Sequence, residues 1–123
     1  LRKILSANLN SLPPTVNHLY RTSRTGTRYK TREGRDWQEI TAAVFHALYG
    51  GAAPYDGDVM LDICFLVADK RRWDIDNRVK ALIDALVMGG VLKDDRQVQS
   101  LHVQREHVPE TTQTLVLVKE WIR

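Results

Sequence analysis

Asp74 and Asp76 stand two residues apart, Lys80 follows one helical turn after Asp76, and an acidic pair, Asp94–Asp95, lies further along. A basic run of Lys70, Arg71 and Arg72 leads into the first of these acids. Carboxylates forced together repel one another unless a cation sits between them. Magnesium suits such a group, because it takes one or two carboxylates, keeps several waters and accepts phosphate oxygens as further ligands. Acids, lysine and arginines together point to a magnesium site, with manganese as an alternative, facing a phosphodiester backbone.

The spacing alone leaves other roles open. In extended chain, Asp74 and Asp76 would share one face with α-carbons about 7 Å apart. At a helix start, the same residues could simply cap exposed N–H groups. Lys80 could neutralise the acids or hold a nonbridging phosphate oxygen, and it could equally form a plain i,i+4 ion pair. Asn77, Asp84 and Asp94 are candidates for a supporting shell around the ligands. Local physics does not choose between Asp94 and Asp95, nor does it prove that either converges with Asp74 and Asp76.

These residues need elements to hold them. Residues 2–9 read as a strand, and Pro13-Pro14 interrupts regular structure after it. From Gly34 to Tyr49, Trp37, Ile40, Val44, Phe45 and Leu48 recur at helical spacing, with Gly50-Gly51 as the stop. Val59 to Val67 is apolar on both faces except at Asp62, the signature of a central strand. A second helix starts near Asp76, turns Val79, Leu82, Ile83 and Leu86 inward, and ends at Gly89-Gly90. Val98 to His107 is predicted as a strand with Leu101 and Val103 inward, and Thr114 to Trp121 as the last strand. The order β-α-β-α-β-β, closing in a hairpin, predicts a single α/β (α+β) domain over residues 1–123. Its mixed sheet would carry two packed helices and place the first acids at the C-terminal edge of the central strand, where such sheets leave a crevice.

Composition narrows the partners. The chain has 123 residues, an ordinary hydrophobic content and a formal net charge of +3, so placement matters more than total. Arg21, Arg24, Arg28, Lys30, Arg32 and Arg35 crowd a segment filled with threonine, serine and glycine. With Lys70, Arg71 and Arg72 this forms the predicted DNA-binding surface, the plain alternative being a charged loop. Tyr20 and Tyr29 could stack on exposed bases or simply pack. His18 sits beside the basic segment and could touch DNA, whereas His46 and His102 read as structural, and the four histidines, His107 included, are too scattered to make a site. Cys64 is the single cysteine and sits in an apolar run, which excludes an internal disulfide. No stretch reaches the length of a membrane span, and the start lacks a secretory core, so a cytoplasmic location is expected. The chain does not begin with methionine, which suggests a trimmed start.

The longer pattern is more specific. Lys70-Arg71-Arg72-Trp73-Asp74-Ile75-Asp76-Asn77-Arg78-Val79-Lys80, the helix through Asp84-Ala85-Leu86, and Gly90 to Val98 with Asp94-Asp95-Arg96-Gln97-Val98 resemble the RusA Holliday-junction resolvases. Pro13-Pro14-Thr15-Val16-Asn17-His18-Leu19-Tyr20 is similar to that family's early P-P-S-x-N-x-x-Y segment. The resemblance implies a homodimeric, magnesium-dependent endonuclease, bacterial or phage-encoded, that cuts two strands of a four-way junction symmetrically. By position it makes Asp74, Asp76 and Asp95 the catalytic, metal-binding acids and Lys80 the essential lysine. Trp73, where an arginine can precede the first acid, and Val91-Leu92-Lys93 depart from the family pattern. A branched-DNA-binding protein without catalysis, and a nuclease for other branched DNA, are the alternative readings.

Overall fold

A computed structural model describes residues 1–122. Its elements are β1 (Lys3–Leu9), α1 (Val16–Leu19), β2 (Tyr20–Thr22), β3 (Arg28–Lys30), α2 (Arg32–Tyr49), β4 (Val59–Val67), α3 (Val79–Met88), β5 (Val98–His107) and β6 (Gln113–Glu120). Single 3-10 turns at Ile75–Arg78 and Asp95–Gln97 precede α3 and β5. Four strands form one mixed sheet in the order β1-β6-β4-β5, and β2 pairs with β3 as a separate ribbon. β4 runs parallel to β5 and antiparallel to β6.

The mixed sheet and its internal β4 agree with the sequence pattern, but the expected closing hairpin does not form. β6 leaves the turn after β5, passes to the far side of β4 and inserts between β4 and β1. Its residues explain the choice. Thr114, Val116 and Val118 are buried on one face while Leu115 and Leu117 are half-buried on the other, so this strand needs neighbours on both edges and apolar cover on both faces. β5 carries Gln99, His102, Gln104, Arg105 and Glu106, all exposed, and takes the edge. Leu101, expected to point into the core, is 48% exposed at that edge.

The core lies on one side of the sheet. Leu5, Ala7 and Leu9 from β1, the odd-numbered residues of β4, and Val116 and Val118 from β6 meet Phe45 of α2 and Val79, Leu82, Ala85 and Leu86 of α3. The helix α2 begins at Arg32, capped by Thr31, whose Oγ1 accepts from the Gly34 N–H and donates to the His18 carbonyl at 2.6 Å. Of its apolar positions Phe45 is buried and Trp37 packs against the core, but the rest of its inward face is not the one the periodicity suggests. Gly34, Gln38, Thr41, Ala42 and Phe45 are buried, whereas Ile40, Val44 and Leu48 are exposed. The reason lies in the contact with α3: Gln38 donates to the Ala81 carbonyl, and small residues let the helices approach closely.

Gly89 marks the tightest approach. A β-carbon there would stand 2.6 Å from the Ala42 carbonyl oxygen, backbone that cannot swing away. Gly89→Ala should therefore destabilise the fold by about 1–3 kcal/mol, read as a lower denaturant midpoint with an unchanged m-value.

Candidate active site

Chain order leads from the end of β4 into the acid turn. Asp69 accepts from the Arg71 N–H at 3.0 Å and pairs with its guanidinium, giving a short charged exit. Lys70, Arg71 and Arg72 remain exposed and, with Arg105 and His107 of β5, line a surface concavity of about 320 Å³. Trp73 then tucks back, its ring edge-on to Phe65 with centroids 5.5 Å apart.

Asp74 occupies the cap position of the Ile75–Arg78 turn in extended conformation, yet its side chain makes no cap hydrogen bond. The turn is closed instead by the Asn77 N–H donating to the Asp74 carbonyl at 3.1 Å. Of the two readings open to this aspartate, capping is therefore not the one adopted, and both Asp74 and Asp76 are exposed. Asn77 is half-buried behind them. Arg78 ends the turn, with burial pushing its guanidinium below the usual value.

Asp94 is used differently. Its carboxylate accepts from the Arg96 N–H at 2.8 Å and binds the Arg96 guanidinium at 2.9 and 3.1 Å. Those hydrogen bonds hold its carboxyl well below the ordinary carboxylate range. Gln97 completes a capping box, accepting from the N–H groups of Lys93 and Asp94 while donating to the carbonyls of Tyr55 and Gly57. The next residue, Asp95, is left exposed at the start of this locked turn.

Packing of α3 decides which acids share space. Asp76, Lys80, Asp84 and Asp95 line one surface cleft of about 380 Å³, floored by Val79, Ile83 and Leu101. Lys80, Asp84 and Asp95 also border a second cleft of about 480 Å³ that includes Asp94, Lys93, and Tyr20 and Lys30 of the β2–β3 ribbon. The Lys80 ammonium lies 3.5 Å from Asp84, so its i,i+4 partner is the acid after it rather than Asp76 before it. Asp74 is not among the residues of either cleft. Among the described residues, no three His, Cys, Asp or Glu side chains are arranged to hold a metal ion. The donor set nonetheless fits a hard cation: with Asp84 paired to Lys80, the Asp76 and Asp95 carboxylates of the same cleft, with room for water and phosphate oxygens, match what magnesium accepts.

The basic segment folds into more order than its composition suggests. Arg21, Arg28 and Lys30 sit on the two-stranded ribbon and Arg24 at its tip, where Gly26 adopts φ 85°; Arg32 begins α2. The Arg28 guanidinium lies 3.8 Å from the centroid of the Tyr20 ring, which occupies one face of that tyrosine; Tyr29 is half exposed. Of the histidines, His18 is exposed, His46 and His107 contact the Gly89 and Ala68 carbonyls, and His102 meets Asp62 at 3.0 Å. Lys93, Arg78 and Arg105 were given no role by the sequence reading. Lys93 adjoins the acidic pair and could have been flagged, but Arg105 reaches the site only through the register of β5.

A mixed α/β sheet with an acid-and-lysine cleft flanked by exposed cations has the makings of an enzyme acting on nucleic acid. Residues 11–119 match the family model described as endodeoxyribonuclease RusA, and the chain belongs to that family of nucleases. It is 35% identical over 94 residues to the crossover junction endodeoxyribonuclease RusA of Escherichia coli K12, covering 74% of each chain. The phage 82 protein of the same name is 34% identical over 94 residues, again 74% of each. That of Aquifex aeolicus is 26% identical over 98 residues, 80% of this chain and 77% of its relative. No helix among the described residues is long and apolar enough to cross a membrane.

Proposed function

We propose that this chain is a divalent-metal-dependent endodeoxyribonuclease that resolves four-way DNA junctions by paired, symmetric cleavage. The observation that carries the reading is the shared cleft of Asp76, Asp95 and Lys80, in a chain whose relatives bear the name crossover junction endodeoxyribonuclease. Asp76 and Asp95, joined by Asp74 from outside their cleft, would hold magnesium or manganese. When bound, the metal would supply an activated water and a polarised phosphoryl oxygen.

The protein's own residues do the rest. Lys80, partly exposed and only loosely paired with Asp84, can turn its ammonium to a nonbridging phosphate oxygen. Asp84 keeps that ammonium oriented when no phosphate is present. Lys30 and Lys93 in one cleft, and Lys70, Arg71 and Arg72 in the concavity after β4, carry the strand backbone toward the acids. The ribbon's Arg21, Arg24, Arg28 and Arg32 add charge for a second duplex arm. A homodimer would place two such sites on opposing strands, as paired cleavage requires. The work would take place in the cytoplasm of a bacterial cell, on a chromosomal or phage substrate.

A synthetic four-way junction and a linear duplex of the same arms provide the test. With magnesium, symmetric paired nicks should appear in the junction, and far more slowly in the duplex. Equal cutting of both would remove the junction-specific reading, while tight, salt-sensitive binding with no cutting under magnesium or manganese would leave a branched-DNA-binding protein.

A further inference from the structure

The turn that carries Asp74 and Asp76 is closed at its base by side chains. Trp73 stands just before it and Arg78 ends it, and the Arg78 guanidinium carbon lies 4.7 Å from the centroid of the Trp73 ring. Arg105 of β5 approaches the same ring at 4.9 Å and donates from Nη1 to the Trp73 carbonyl at 2.7 Å. Arg78 in turn donates from Nη1 to the Pro13 carbonyl at 2.6 Å, while its Nε is buried without a hydrogen-bond partner. One indole thus joins the acid turn to the edge strand, the early proline segment and, through Phe65, the core.

We propose that Trp73, clamped by Arg78 and Arg105, is a positioning residue that fixes where Asp74 and Asp76 stand for the cation. This rests on the nuclease reading above. The acids need such a device because neither is buried and Asp74 makes no cap bond, so the turn's placement depends on what grips its two ends. Cation–ring contact grips without consuming a carboxylate oxygen, leaving the acids' lone pairs for a ligand. An arginine in place of Trp73 would bring a third guanidinium to this base and remove the surface on which the other two rest.

Three variants test the clamp: Trp73→Leu, Trp73→Phe and Arg105→Ala, the last acting from the exposed edge without opening the core. Manganese binding to the protein without DNA is followed by calorimetry, alongside single-turnover junction cleavage, junction affinity without metal, and the thermal midpoint. Trp73→Leu and Arg105→Ala should weaken manganese binding about 10-fold or more and slow cleavage in step, with metal-free junction affinity essentially unchanged. Trp73→Phe, which keeps a ring, should recover much of the loss. Wild-type manganese affinity in both Trp73→Leu and Arg105→Ala would overturn the clamp. So would a loss of junction affinity that accounts for the whole fall in cleavage. Should Trp73→Leu fail to fold, Arg105→Ala decides alone. If the wild-type protein neither binds manganese nor cuts junctions, the nuclease reading fails instead. Hydrogen exchange of the 74–78 amides then judges the clamp: faster in Arg105→Ala upholds the grip, unchanged overturns it.

Discussion

Asp76→Asn should reduce junction cleavage by roughly 10³–10⁴-fold while leaving metal-free junction binding intact. The substitution keeps size and most hydrogen-bonding capacity but removes the charge that a hard cation requires. Asp76 is exposed in the first turn of Ile75–Arg78 and is not part of the packed core, so no loss of fold is expected to accompany the loss of activity. It is the acid of the D-x-D pair that shares a cleft with Asp95 and Lys80. Cleavage assays on a four-way junction, paired with gel-shift affinity without metal, check both halves. A variant that cuts at the wild-type rate would show that the cleft is not the reaction centre.

The second large effect separates neighbours in sequence. Asp95→Asn should lose cleavage by a factor similar to Asp76→Asn, whereas Asp94→Asn should retain most of it. The structural ground is that Asp94 already gives its carboxylate to the Arg96 side chain and N–H, while Asp95 borders both clefts. Asparagine also caps well, so the Asp94→Asn turn keeps its backbone acceptor. Normal cleavage by Asp95→Asn together with a dead Asp94→Asn would reverse the assignment.

Acidity gives the same pair a second signature. The Asp94 carboxyl is held below its ordinary value, first by the Arg96 guanidinium and then by the Arg96 N–H. Its stabilising contribution is therefore complete above the unfolded value of about 3.9 and is lost only as pH falls through the lower folded value. Loss of cleavage at a pH well above 4 must then come from another group.

How much of this could be read from residues alone differs from element to element. β4 and β5 have the bounds that the sequence suggests, β4 because a continuous apolar run and its flanking charges leave little choice. The inner face of α2 was legible only at Trp37 and Phe45. Ile40, Val44 and Leu48 make a convincing apolar stripe, but Gln38 finds the Ala81 carbonyl and Gly89 admits Ala42, and those long-range fits outweigh the stripe. The β2–β3 ribbon was hidden for a related reason, since its residues are mostly polar and its order comes from the Ser23–Thr27 turn bonds and the Arg28–Tyr20 contact.

For the site, types and spacing identified the acids and the lysine, and the family resemblance singled out Asp95 over Asp94. Their arrangement was not readable, because Asp76 and Asp95 come to line one cleft only through the packing of α3. The structure brings those two together with Lys80 and leaves Asp74 outside their cleft. Arg105 and Trp73, 32 residues apart, become partners only when β5 takes its parallel register on β4.

The insertion of β6 between β1 and β4 also governs when the sheet can close. β1 has no partner in the sheet except β6, and the Thr114 hydroxyl donating to the Ser11 carbonyl spans 103 residues. A nascent chain emerging from the ribosome can therefore display the acid turn, the lysine and both helices while its sheet is still in two pieces. Contacts this distant in sequence form late and slowly. The cleft of Asp76, Lys80 and Asp95 is thus laid down in the middle of the chain, but the sheet behind it is completed only after synthesis has passed residue 120.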